Sequence, residues 1–370
     1  MRHARSARPF PGTASIVATA TVALLSACGS PGVHHSLLGD PSPVGAALGT
    51  PATTLVAATD APTTAAPTTL APTTLGPTTA APTTAAPDQR PARPYAVGTT
   101  GLDLTDTSRN ADSQTGRHLP TVIFYPAVGN DPAPETASAP GLYRSWPLVI
   151  FAHGYNVTPL TYHDLLHHLA QSGFVVAAPS FPLETQGGPL DENDLRNEPG
   201  DIRYVITQVL AASGRSGVLS GLVDPGRIAV IGHSDGGEAA LGVAYLAGES
   251  DNRIGPVVAM AAQAILNGDK VSAGPVRHSL LVVQGTADTI NPPARADQVY
   301  ASAPSPKAYL HLLGGGHLPP IVDNNQWRPV VEATVVDWLD AWFGPPNSVG
   351  VAARIGHDAN VPGTASIQLG

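Results

Sequence analysis

From about Tyr95 onward the chain alternates short, almost unbroken apolar runs with stretches whose apolar residues recur every three or four positions. The runs are "LPTVIFYP" (119–126), "WPLVIFAHG" (146–154), "FVVAAPS" (174–180), "RIAVIGHS" (227–234), "GPVVAMAA" (255–262), "HSLLVVQGTAD" (278–288) and "AYLHLLGGGH" (308–317). Between them, "YHDLLHHLAQSG" sets Leu165, Leu166 and Leu169 on one helical stripe and stops at Gly173. A second helix aligns Ile202, Val205, Ile206, Val209 and Leu210, and "GGEAALGVAYLAG" reads as a third. Two more are expected near Arg295–Ala301 and Trp327–Phe343. A strand apolar along its whole length is buried on both faces. The order therefore predicts an α/β domain over 95–344, with a mostly parallel central sheet and helices on both faces. In such sheets ligands bind beyond the carboxyl ends of the strands, so residues that carry chemistry should stand just after them.

The first ninety residues cannot join that core. Arg2, Arg5 and Arg8 precede an acid-free apolar run, Ile16–Leu25, which has the charge and length of a secretory signal and is too short for a stable membrane span. It ends in "LLSAC", and Cys28 is the only cysteine of the 370 residues. No intrachain disulfide is available to an exported protein of this sequence. "LLSAC" resembles the lipobox of bacterial lipoproteins, which implies removal of 1–27 and lipidation of Cys28, holding the protein on a membrane surface without spanning it.

Residues 28–94 are dominated by Pro, Thr, Ala and Ser, with a five-residue "PTTAA"-type unit repeated from Pro62 to Pro87. Too few large apolar side chains are present to offset the entropy of ordering, and the regular prolines favour an extended stalk, which the Thr content makes open to glycosylation. Loss of the three leader arginines takes the net charge from −9 to −12. An acidic chain with few basic clusters is a poor partner for nucleic acid, whose phosphates need Lys and Arg. A monomer is expected. The segment 345–370 contains "VPGTASIQL", read as a tail with a short strand.

Three residues meet the strand-end test. Ser234 closes "RIAVIGHS" inside Gly232-His233-Ser234-Asp235-Gly236, a G-x-S-x-G placed between a buried strand and a helix. The glycines allow a sharp turn that leaves the serine exposed. Asp288 follows "LLVVQGTA", and His317 follows "LLGGG", whose glycines let the imidazole fold back over the sheet edge. In that arrangement His317 takes the Ser234 proton and returns it to the leaving group, while Asp288 fixes the tautomer and stabilises the imidazolium. A developing oxyanion needs backbone donors: the Asp235 amide at the helix start, and the Tyr155 amide in "AHGYN", with His153 and Gly154 beside it. The Asp235 side chain is expected to point away from the serine, and Glu238 lies on the next helix.

From Tyr95 to Phe343, "VIFAHGYN", "GHSDGG", "GTAD" and "GGGH" resemble the α/β-hydrolase superfamily. They look most like its dienelactone-hydrolase-like and platelet-activating-factor-acetylhydrolase-like branch, near the cutinases and polyester hydrolases. The resemblance implies the α/β-hydrolase fold and a serine carboxylester hydrolase that needs no cofactor and acts on a small-molecule or lipid ester. Two departures matter. Dienelactone hydrolase proper uses a cysteine nucleophile, and Cys28 lies in the lipobox; polyester hydrolases carry Met after the serine, where this chain has Asp235. Only Gln263–Arg277 separates the strands between which many lipases insert a cap, so no large cap domain is expected. The site should be open, walled by Tyr155, the loop 181–200 and Ile290, without activation at an oil–water interface.

His163 and His167, four apart on a helix, have metal-ligand spacing. With no acidic third ligand nearby in the motif, and with Asp164 and His168 continuing the polar face, they read as a solvated helix surface, and no metal site is expected. Two other functions stay open: an acyltransferase or peptidase with the same triad, and a non-catalytic surface-displayed binding module.

Overall fold

The computed structural model describes residues 93–111, 116–129, 135–142, 144–263, 278–344 and 351–370. The chain divides into two units, Met1–Thr83 and Thr84–Gly370, and every described residue belongs to the second. The leader, Cys28, all but the end of the stalk and nearly all of the cap-position segment Gln263–Arg277 lie outside the described residues.

Among the described residues the main sheet has ten strands. In chain order those in its body are β1 (Ala96–Leu102), β4 (Thr121–Ala127), β6 (Trp146–Ala152), β7 (Val175–Pro179), β8 (Val223–His233), β9 (Ile254–Met260), β10 (Ser279–Gly285), β11 (Lys307–Leu312) and β12 (Ala365–Leu369). The two-residue β5 (Thr136–Ala137) adds to β1, and β2 (Thr105–Asp106) pairs with β3 (Arg117–His118) as a separate ribbon. Across the sheet the order is β12-β11-β10-β9-β8-β6-β7-β4-β1-β5. From β7 to β11 the pairings are all parallel, whereas β4 meets β7 and β1 meets β4 antiparallel, and β12 closes the far side antiparallel to β11.

Every residue of β6, β7 and β10 is buried. Alternate side chains feed two cores, as the period of two requires. On one face Leu148, Ile150, Val230, Val257 and Val282 pack under α2 (Glu198–Ser213), α3 (Asp235–Tyr245) and α4 (Pro293–Ser302). On the other, Val149, Phe151, Ile231, Val258 and Leu281 pack under α1 (His163–Gln171), α6 (Arg328–Phe343) and α7 (Val351–Asp358). A one-turn α5 (Pro319–Val322) precedes α6. The α1 stripe of Leu165, Leu166 and Leu169 is fully covered, and Gly173 adopts φ +95°, a left-handed value that ends the helix.

Three features depart from the sequence reading. β1 was not anticipated, because "AVGTTGL" mixes Gly and Thr into a strand that is buried at only one end. The segment 181–200 is not wholly loop: a 3₁₀ turn spans Glu192–Asn197, and α2 already starts at Glu198, with Pro199 in its first turn. The tail holds α7 as well as the strand β12.

The start of α2 is fixed by ions. Arg117, with no exposed surface, donates to Asp194 at 2.7 and 2.8 Å and to Asp201 at 2.5 and 2.7 Å, and Asp201 also accepts from Arg109 at 2.7 Å. Two bidentate contacts on one guanidinium lock the 192–201 segment against the β2–β3 ribbon.

Candidate active site

β8 ends at His233, and the chain turns at once into α3. Ser234 holds the turn with φ +56° and ψ −124°, a strained conformation for a side chain with a Cβ. The flanking glycines are forced by close approach. A Cβ on Gly232 would lie 1.9 Å from the Gly236 carbonyl oxygen, and one on Gly236 would lie 2.3 Å from the Ala152 oxygen.

His317 Nε2 lies 3.0 Å from Ser234 Oγ, and its Nδ1 lies 2.8 Å from Asp288 Oδ2. The Asp288 side chain is fully buried and every lone-pair direction is used. Oδ2 also accepts from Gln284 Nε2 at 3.0 Å, and Oδ1 accepts the amides of Ile290 and Asn291, both at 2.9 Å. Asn291 is itself tied to the Ala261 carbonyl at 2.6 Å. A carboxylate so held can only accept from Nδ1–H, which leaves Nε2 free to receive the serine proton. The structure thus brings Ser234, Asp288 and His317 into one hydrogen-bonded line at the carboxyl ends of β8, β10 and β11.

The expected oxyanion donors lie beside it. Gly154 crosses directly over the serine, so that a Cβ there would meet Ser234 Cβ at 3.0 Å. Its amide is occupied, donating to Tyr162 Oη at 3.3 Å. Among the described residues neither the Tyr155 amide nor the Asp235 amide donates to a protein group, and Asp235 N–H is the first of the unpaired donors at the start of α3.

His233, the variable residue inside G-x-S-x-G, was given no role by its sequence. It links the two halves of the site. Its Nδ1 lies 2.8 Å from Tyr162 Oη, and its Nε2 lies 3.1 Å from the His317 carbonyl. The carbonyl can only accept, so Nε2 carries the proton and Nδ1 accepts from tyrosine. Complete burial, with the neighbouring His317, pushes its pKa down to about 3, so it stays neutral. His153 is a second neutral, buried imidazole. Its Nδ1 faces the Gly154 carbonyl at 2.8 Å, and its Nε2 accepts the Phe181 amide at 3.1 Å, with the pKa pushed by burial to about 4.

The side chain of Asp235 is buried and one of its oxygens lacks a partner among the described residues. Burial and Glu192 raise its pKa to about 6, with His317 opposing. Glu184 and Glu238 are each raised to about 8, by burial first and the Asp235 charge second, and Glu198 is raised as well. Behind the nucleophile turn the protein thus stores carboxyls that favour the protonated form. Sequence spacing gave no sign of it, since Glu184 and Glu198 come from a segment whose path was not legible. Tyr155, next to Gly154, and Ile290, whose amide donates to Asp288, are exposed, as is Leu190 in the segment 181–200.

A Ser-His-Asp line at a strand–helix elbow on this mostly parallel sheet defines the class: the domain has the α/β-hydrolase fold, and the line has the geometry that a nucleophilic serine needs. Parts of the chain are similar to known proteins. The chlorophyllase family model matches residues 119–271. The chain is 30% identical over 249 residues to the bis(hydroxyethyl) terephthalate hydrolase of Streptomyces coelicolor, covering 66% of each protein. It is 30% identical over 132 residues to chlorophyllase-1 of Arabidopsis thaliana, covering 34% of this chain and 39% of that one. It therefore spans just under two thirds of the first relative's length and about two fifths of the second's. A solved ferulic acid esterase from Streptomyces cinnamoneus superposes with a TM-score of 0.49 at 20% identity, over 73% of this chain and 90% of that one.

Proposed function

We propose that the chain is a carboxylic ester hydrolase that cleaves small or short-chain esters through an acyl-enzyme on Ser234. His317 is the general base and then the general acid, Asp288 holds its tautomer, and the amides of Tyr155 and Asp235 receive the oxyanion. The observation that carries this reading is the unbroken line Ser234–His317–Asp288, with contacts of 3.0 and 2.8 Å. The relatives' names, a terephthalate diester hydrolase and a chlorophyllase, favour an ester bond as the target over a peptide bond. The exposed Tyr155 and Ile290 suit an apolar acyl or alcohol group. We propose further that lipidation of Cys28 holds the enzyme at the outer face of a bacterial membrane, with 28–94 as its stalk.

The test is hydrolysis of p-nitrophenyl esters from acetate to long acyl chains by the full chain without its leader, beside Ser234→Ala. Turnover of the short esters that disappears in the variant is expected, together with covalent labelling of Ser234 by a fluorophosphonate. A folded protein that neither labels nor exceeds the variant on any ester overturns the proposal. Anchoring is checked separately, by partition of the expressed full chain into the membrane fraction and its loss in Cys28→Ser.

A further inference from the structure

His163 and His167 occupy successive turns of α1, with ring centroids 6.0 Å apart and planes inclined by 28°. The acidic third ligand missing from their own segment is supplied from elsewhere. Glu135, just ahead of the edge strand β5, reaches across so that its Oε1 lies 2.8 Å from His163 Nε2 and is also hydrogen-bonded to His167 Nδ1. The three donor atoms all fall within 4.8 Å of one another. We propose that Glu135, His163 and His167 form a Zn²⁺ site, separate from the catalytic residues, with its fourth position open to water.

The donor chemistry selects the ion. Two imidazole nitrogens and one carboxylate suit Zn²⁺, whereas Ca²⁺ and Mg²⁺ call for oxygen ligands throughout. Tetrahedral zinc with bonds of about 2.0–2.2 Å spaces its ligand atoms by roughly 3.4 Å, so small side-chain rotations close the site. Two imidazole nitrogens aimed at one carboxylate oxygen is a geometry in which a cation can replace the shared protons.

The surroundings favour it too. The other nitrogen of His163, Nδ1, lies 3.1 Å from Asp164 Oδ1, and Asp164 is in turn held by Arg328. A carboxylate on the far nitrogen is the outer partner that orients metal-binding histidines. The three ligand side chains are 18–44% exposed, and they line a solvent-open hollow of about 410 Å³ that also holds Arg328 and Glu332. An ion has a path in, and Glu135, Asp164 and Glu332 outnumber the single arginine. Bound zinc would cross-link the outer edge of the sheet to α1, the helix that continues directly from Tyr162.

The test uses the untagged chain without its leader, stripped with a chelator, titrated calorimetrically with ZnCl₂ and melted with and without the metal. We expect one zinc per chain, a melting temperature raised by zinc and restored by chelator, and no response to CaCl₂. Affinity should fall at least about 10-fold in Glu135→Gln and in His167→Ala, and by about 10-fold in Asp164→Asn. Zinc binding should persist in Ser234→Ala, and in His118→Ala, which alters an exposed histidine paired instead with Asp103. Co²⁺ bound to the unaltered protein should give the intense visible band of tetrahedral coordination, lost in His163→Gln. Zinc affinity unchanged in the His163→Gln/His167→Ala double variant overturns the site. So does a folded protein that shows neither zinc binding nor the cobalt band.

Discussion

Replacing Gly232 by Ala tests whether close backbone packing creates the nucleophile turn. The new methyl would sit 1.9 Å from the Gly236 oxygen and 2.3 Å from its carbonyl carbon. Restoring a tolerable 3.0 Å requires the end of β8 and the first turn of α3 to part by about 1.1 Å. Overpacking of this kind costs about 1–3 kcal/mol, and in a domain of this size each kcal/mol lowers Tm by about 2–4 °C. The displaced backbone lies two residues from Ser234, whose Oγ is 3.0 Å from His317 Nε2. A shift approaching 1 Å there would break that hydrogen bond, and misplacement on this scale lowers kcat/KM by about 100-fold. The assay pairs calorimetric melting with p-nitrophenyl butyrate hydrolysis, using Gly356→Ala, whose methyl meets nothing within 4 Å, as the control. Wild-type Tm and wild-type turnover in Gly232→Ala would refute the packing argument. Lost activity with unchanged Tm would mean that the elbow yields and only the serine moves.

Asp288→Asn should leave the fold intact and lower kcat by about 10⁴, because an amide in that place lets the wrong imidazole tautomer form; steady-state kinetics of the variant check this. Glu184 has its pKa raised from 4.5 to about 8, so the stability it contributes is complete below pH 4.5 and is lost as pH rises toward 8. Glu184→Gln should therefore flatten the fall in Tm across that window and melt above the wild type at pH 9, as read by thermal melts at stepped pH. Asp201→Asn leaves the buried Arg117 with a single carboxylate and should cost about 3 kcal/mol in urea unfolding without a change in m-value. His233→Phe keeps an aromatic ring but removes both hydrogen bonds that join Tyr162 to the His317 loop, and should lower kcat more than it raises KM.

The strands that carry Ser234, Asp288 and His317 were legible because burial on both faces demands uninterrupted apolar runs, and a polar residue directly after such a run stands out. The glycines around Ser234 were legible for a related reason, since few other residues fit where two backbones touch. The rest depends on partners far apart in the chain. Nothing local to Glu135 indicates that it meets His163 and His167, so the histidine pair reads as a solvated face until the β5 segment is placed against α1. Arg117 likewise looks like an ordinary surface arginine until Asp194 and Asp201 arrive from about eighty residues away. The four short motifs pointed to the superfamily, whereas the relatives found are named a bis(hydroxyethyl) terephthalate hydrolase and a chlorophyllase.

β12 pairs with β11 from Ala308↔Leu369 to Leu312↔Ala365, and Gly370 exchanges backbone hydrogen bonds with Lys307. β11 leads straight into the His317 loop, and the amide of Leu313, the first residue beyond it, bonds to the Thr364 carbonyl. Without its last ten residues the chain would present a row of unsatisfied amides and carbonyls along 308–312, a template onto which a strand of another molecule could dock. The strand therefore covers that side of β11 and, through the Leu313–Thr364 bond, braces the stretch that leads to His317.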